Sequence, residues 1–307
     1  MPVAVVFPGQ GTQQPGMGAP WKGHPAWDVI ERAEAALGEP LAPLLLDADA
    51  ETLGRTRNAQ LSVLCASLLA WEAARDALAP HAVAYAGHSL GQVTALIAAG
   101  VMTLEDGVRF AARRAEVTQA AADAHPGRMA ALIGASIDQA EAACAATPPQ
   151  AWVANDNAPG QVVIAGTPDG LDAAVERAKE AGVRRAMPLA VGGAFHTPLM
   201  DGAAAAIADA LVGIPLAAPA APVVSNEDAQ PHADGDGWRD RLPRHVTHPV
   251  RWRTSMETLA AMGADAFVEV GNGAMIAGVA KRTVPGIPVH ACGTPEAAAA
   301  ITSEVQR

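Results

Sequence analysis

Short, unbroken apolar runs punctuate this chain. Residues 4–7, 82–86, 266–270 and 289–291 carry few polar side chains and no in–out alternation, the pattern of strands covered on both faces. Between them, apolar residues recur every third or fourth position and predict helices over 58–78, 92–99, 104–122, 199–211, 254–262 and 274–282. Glu105 and Asp106 stand at the start of the 104–122 segment, where the helix dipole favours acids. A short strand over 222–224 and an exposed loop over 230–237, rich in Pro, Gly and Asp, complete this part. Strand–helix alternation of this kind predicts a mostly parallel sheet with helices on both faces.

The middle of the chain has its own logic. Residues 129–134 read as strand, 137–146 as helix, 151–155 and 161–165 as strands with an Asn/Asp/Pro/Gly turn between them, 168–181 as helix and 183–189 as strand. That order, βαββαβ, predicts a ferredoxin-like unit. Pro126-Gly127 and Gly192-Gly193 flank it, as expected of an inserted subdomain. The expected class is α/β, with a large subdomain from 1–125 and 195–307 and a small one from 126–194.

Composition narrows the function. Half of the 307 residues are apolar, so a sizeable core is available, but with four Phe, one Tyr and six Trp the packing falls to Ala, Val and Leu. A net charge of −11 offers no basic face for a phosphate backbone, so nucleic acid is not an expected partner. No apolar run reaches the roughly 18 residues of a membrane helix. The N-terminus enters strand-like sequence without a signal-peptide layout, so a soluble, cytoplasmic protein is expected, with no membrane partner. Cys65, Cys144 and Cys292 are far apart and lack metal-ligand spacing; buried free thiols and no metal site are expected.

The segment Gly87-His88-Ser89-Leu90-Gly91 is a G-x-S-x-G sequence between a strand and a helix, the context a nucleophilic serine on a sharp turn requires. The glycines leave room for the turn, and the helix N-terminus behind it aims the Leu90 amide at a developing oxyanion. Such a serine needs a base. His88 adjoins Ser89 but lies inside the turn, its ring directed away from the open face. His196, in Gly192-Gly193-Ala194-Phe195-His196-Thr197-Pro198, follows a strand and is the better candidate, since sites in open α/β sheets form at the carboxyl ends of strands. Phe7-Pro8-Gly9-Gln10-Gly11-Thr12-Gln13 also follows a strand. It is neither a dinucleotide fingerprint nor a P-loop, because Met17 stands where lysine belongs. It is either a structural turn or a loop that brings Gln10 to a bound acyl group.

These segments, together with Asn155-Asp156-Asn157-Ala158-Pro159-Gly160-Gln161 and Glu269-Val270-Gly271, resemble the malonyl-CoA:acyl carrier protein transacylase family, including polyketide synthase acyltransferase domains. The resemblance implies a hydrolase-like core with a ferredoxin-like insertion. It further implies Ser89 as acyl-carrying nucleophile, His196 as its base, and Gln10 with the Leu90 amide at the oxyanion. Arg114 matches the arginine that holds the malonyl carboxylate, although Arg113 adjoins it. Phe195 beside the base matches the malonyl-type pattern and would crowd an α-methyl group. Asn157 and His245 complete the substrate-binding set. The segment Arg244-His245-Val246-Thr247-His248-Pro249-Val250 lies where the family supplies a carbonyl to the imidazole, and His245 is the candidate. No acid stands clearly between Ser89 and His196; the resemblance implies a Ser–His dyad instead.

Malonyl-CoA and an acyl carrier protein are the implied partners, coenzyme A thioester being substrate and no cofactor being implied. Arg239, Arg241, Arg244, Arg251, Arg253, Lys281 and Arg282 are candidates for a carrier-docking patch. A trans-acting polyketide synthase acyltransferase and a malonate decarboxylase transferase subunit are alternatives within the family. A thioesterase is the rival outside it.

Overall fold

The computed structural model of this chain describes residues 1–146 and 148–305. Its strands are β1 (Val3–Phe7), β2 (Ala82–Gly87), β3 (Arg128–Ile133), β4 (Ala151–Ala158), β5 (Gln161–Gly166), β6 (Arg185–Pro188), β7 (Val223–Val224), β8 (Pro231–His232), β9 (Ala266–Val270) and β10 (Val289–Cys292). Its helices are α1 (Asp28–Leu37), α2 (Ala42–Leu46), α3 (Ala50–Gly54), α4 (Thr56–Leu78), α5 (Gly91–Ala98), α6 (Leu104–Ala124), α7 (Ile137–Cys144), α8 (Pro168–Glu180), α9 (Asp201–Ala210), α10 (Trp238–Arg244), α11 (Trp252–Ala261), α12 (Met275–Thr283) and α13 (Pro295–Val305).

The strands form two sheets. Sheet A runs β10-β9-β1-β2-β7-β8 and is parallel except where β8 turns back on β7. Sheet B runs β4-β5-β3-β6 and is antiparallel throughout. It draws only on residues 128–188, while sheet A draws on the chain before and after them.

β1 sits at the centre of sheet A, buried along its whole length. Val3, Val5 and Phe7 join the larger core with α1, α4, α6, α9 and α13, whereas Ala4 and Val6 face the smaller core with α11 and α12. A strand whose side chains all find apolar partners has no reason to alternate in polarity. Helix α4 is buried nearly all round and lies beside α6. α6 is opened by Thr103, whose hydroxyl accepts from the Asp106 amide, with Glu105 and Asp106 in the first turn.

Several elements differ from expectation. β4 continues to Ala158, its pairing with β5 shifting register at 153/155 and again at 156/158, so only Pro159 and Gly160 form the turn. β6 is shorter than 183–189. The predicted 199–211 helix opens as a 3-10 turn over Pro198–Met200 before α9 begins. The expected loop over 230–237 contains β8, held by Ser225 and Val224 on β7's side through antiparallel pairing and a Ser225 N to Gln230 O bond of 3.1 Å.

A seam ties sheet B to the chain that follows sheet A's edge strands. Asp156 N donates to Val250 O and Val250 N to Ala154 O, both 2.9 Å, so β4 is stitched to the segment leading into α11. Arg253 adds an ion pair to Asp156 at 2.8 Å.

Candidate active site

Strand β2 ends at Gly87, and two residues later Ser89 adopts φ +53, a left-handed conformation rare for a residue with a side chain. The turn is packed too tightly for anything but glycine at its edges. A Cβ on Gly87 would lie 1.9 Å from Gly91 O, and one on Gly91 2.4 Å from Phe7 O. His88 N bonds Phe7 O at 2.9 Å, tying the turn to the end of β1. Asn226, just past β7, clamps the other side. Its Oδ1 accepts from Ser89 N at 2.7 Å, and its Nδ2 donates to Gly87 O at 2.7 Å and to Gln92 Oε1 at 2.9 Å. With Ser89 N so engaged, the Leu90 N–H at the mouth of α5 is left without an acceptor among the described residues.

His196 is also left-handed, at φ +62, and its own amide donates to Val246 O at 3.0 Å. Its Nε2 lies 2.7 Å from Ser89 Oγ and its Nδ1 2.7 Å from His245 O. A carbonyl only accepts, so Nδ1 carries the proton and Nε2 is free to accept from the serine hydroxyl. Among the described residues no carboxylate touches the ring. Burial, followed by the Arg114 charge, lowers the His196 pKa to about 3, so the ring is neutral at ordinary pH.

Arg114 reaches in from α6. Its Nη2 lies 3.4 Å from Ser89 Oγ and its Nη1 donates to Gln60 Oε1 at 2.5 Å. Burial lowers its pKa only to about 10, so it stays charged, yet among the described residues it has no carboxylate partner. Arg113, the neighbour in sequence, is exposed and pairs with Glu116 at 3.3 Å. A helix turns by about 100° per residue, so only one of the two faces the site.

A cavity of about 180 Å³ opens at the serine, lined by Gln10, Leu90, Arg114, Met129, Asn157 and Phe195 among others. Met275 and Val191 add apolar surface. Asn157 Oδ1 contacts His88 Nε2 at 2.8 Å, the His88 ring packs edge-on against Trp252, and His88 also lines the cavity. His245 does not line the cavity, contrary to its assignment to the substrate-binding set. It caps α10 with its ring turned towards Ser225 Oγ at 3.0 Å and Trp238, and only its carbonyl serves the site.

Two residues here escaped the sequence reading. Asn226 follows a two-residue strand too short to signal a carboxyl-end site, though its place beside β2 is where such sites form. Gln60 is a lone amide in the apolar stretch of α4, a signal readable as a buried polar group awaiting a partner. Cys65, Cys144 and Cys292 are buried free thiols. Among the described residues there is no group of three or more His, Cys, Asp or Glu placed to hold a metal ion, and no helix long and apolar enough to cross a membrane.

Comparison with known proteins adds the following. The family model for the acyl transferase domain matches residues 4–298. The chain is 38% identical over 303 residues to the malonyl CoA-acyl carrier protein transacylase of Escherichia coli K12, covering 97% of each chain. It is 34% identical over 300 residues to the protein of the same name from Bacillus subtilis, covering 96% of this chain and 94% of that one. Among solved structures, the acyl-carrier-protein S-malonyltransferase of Burkholderia pseudomallei superposes with a TM-score of 0.94 at 35% identity, covering 99% of this chain and all of the other. A malonyl-transacylase in complex with a type II PKS acyl-carrier protein gives 0.94 at 32% identity, with 99% and 100% coverage.

Proposed function

The chain belongs to the acyl transferase domain family, and from that membership we propose that it moves a malonyl group from coenzyme A to the phosphopantetheine thiol of an acyl carrier protein through an ester on Ser89. One observation carries the choice of cargo: a buried, charged guanidinium without a counter-ion among the described residues, 3.4 Å from the serine hydroxyl. Bidentate binding of the malonyl carboxylate supplies what it lacks. An acetyl group leaves it unpaired, a difference of about 3–5 kcal/mol in a dry site, or roughly two to four decades in rate.

The reaction follows from the hydrogen bonds. As Ser89 Oγ attacks the thioester carbonyl, its proton passes to His196 Nε2, and the carbonyl π electrons move to oxygen. The Leu90 amide at the α5 N-terminus, with Gln10 opposite, stabilises the oxyanion. Collapse expels the coenzyme A thiolate, which takes the proton from His196. The carrier thiol then gives its proton to the same nitrogen and attacks the Ser89 ester; collapse breaks the Ser89 Oγ–acyl bond, Oγ takes the proton back from His196 Nε2, and the carrier leaves with the malonyl group. The His245 carbonyl keeps the proton on Nδ1 throughout. Phe195 walls the space near the α-carbon, which favours malonyl over methylmalonyl; equal turnover of methylmalonyl-CoA counts against this.

The order β3-α7-β4-β5-α8-β6 with antiparallel pairing supports reading the small sheet as a ferredoxin-like unit inserted in a hydrolase-like core. Intact-protein mass spectrometry after mixing with malonyl-CoA tests the whole scheme. A gain of one malonyl group is expected, absent in Ser89→Ala and slowed by about two decades or more in Arg114→Ala. An adduct that persists in Ser89→Ala refutes the ester.

A further inference from the structure

We propose that Gln60 is the residue that keeps Arg114 selective, because it fixes the guanidinium in place without cancelling its charge. This rests on the malonyl reading above. Gln60 is 1% exposed, and its Oε1 takes Arg114 Nη1 at 2.5 Å. Its Nε2 faces Thr118 Oγ1 at 3.5 Å, and that hydroxyl bonds back to Arg114 O at 2.8 Å, so the amide, the arginine and one turn of α6 form a closed set.

The chemistry of that acceptor matters. A buried guanidinium is ordinarily answered by a carboxylate, because leaving a charge uncompensated is costly. Here the anchor is an amide: it accepts a hydrogen bond and returns no charge. An aliphatic side chain at 60 would give Nη1 no acceptor and leave the fork free to turn. A carboxylate at 60 would hold the fork equally well but fill the role of the incoming acid. Only a neutral acceptor both orients the cation and leaves its charge for the cargo. Gln60 is thus a positioning residue acting through Arg114.

Gln60→Glu is nearly isosteric and tests this directly. Acylation by malonyl-CoA and by acetyl-CoA is followed for the parent and the variant by intact mass against time. The malonyl-to-acetyl ratio of kcat/KM is expected to fall by about two decades or more, with acetyl transfer within about threefold of the parent. The variant is also expected to melt higher than the parent, since the buried cation gains a partner. Gln60→Met removes the anchor but adds no charge, so it should raise KM for malonyl-CoA while still preferring malonyl over acetyl. A ratio in Gln60→Glu within about threefold of the parent overturns the proposal, whatever the melting temperature. Should the parent itself fail to take malonyl from malonyl-CoA, the functional reading falls first. The melting comparison then judges Gln60 alone, and a variant melting no higher overturns it.

Discussion

At the scale of single residues, the unusual feature is an imidazole beside a serine hydroxyl held neutral by burial and a nearby cation. A histidine whose folded pKa is depressed loses stability for the protein as pH falls. The unfolded chain binds a proton below about 6.5 and the folded one does not. His196 and His245 both sit at about 3, so conformational stability is expected to drop progressively from pH 6.5 towards 3, measured by denaturant unfolding across that range. The acylation rate, by contrast, should show no inflection near 6.5, because the free base form of His196 persists well below it. A rate that halves near 6.5 would show the ring to be more exposed to water than its burial implies. On the proposed reading, a carboxylate paired with Arg114 reduces the second cause of the depression, so the malonyl complex is expected to have the more basic imidazole.

At the scale of elements, the serine turn is held by three strand ends. β1 supplies Phe7 O to His88, β2 supplies Gly87 itself, and Asn226 past β7 bonds Ser89 N and Gly87 O. Asn226→Ala removes the two side-chain bonds to this backbone, which is already left-handed at Ser89, and a third to Gln92. A loss of about 1–3 kcal/mol in stability and a fall of about 10- to 100-fold in kcat are expected, with KM for malonyl-CoA little changed. Urea unfolding and steady-state kinetics check these; a variant with parental kcat shows that the turn holds without the clamp.

How far the sequence reached is clear from such elements. The Ser89 turn was legible because it depends on local residues, two glycines between an apolar strand and a helix. His196, 107 residues from Ser89, could be offered as its base only from its place after a strand, and the family resemblance strengthened the pairing. α10 and α13 were not anticipated: one carries Pro243 inside it and the other is an alanine-rich run without polar periodicity. α1–α3 passed unread within a segment interrupted by Pro and Gly, and β8 is too short to leave a pattern.

At the scale of the molecule, charge raises a docking problem. With a net charge of −11, the protein needs a local cationic surface if its carrier is acidic. Most of the expected cations are committed elsewhere. Arg239 donates to Leu211 O and Ile214 O, while Arg241, Arg244 and Arg253 pair with Asp234, Glu227 and Asp156. Arg251, Lys281 and Arg282 remain exposed, and Arg282 reaches Gln161, which lines the cavity, at 2.5 Å. The double variant Lys281→Glu with Arg282→Glu is expected to slow transfer to a carrier protein by about tenfold or more at low salt and to leave acylation by malonyl-CoA unchanged. Equal slowing of both half-reactions would place these residues in coenzyme A binding instead.

The seam at β4 has a mechanical consequence. The strand that grips Val250 belongs to one wall of the cavity, and five residues before Val250 is the carbonyl that steadies the imidazole. A displacement of β4 is therefore expected to be felt, through Val250, at the carbonyl bonded to His196 Nδ1, across a link two hydrogen bonds wide.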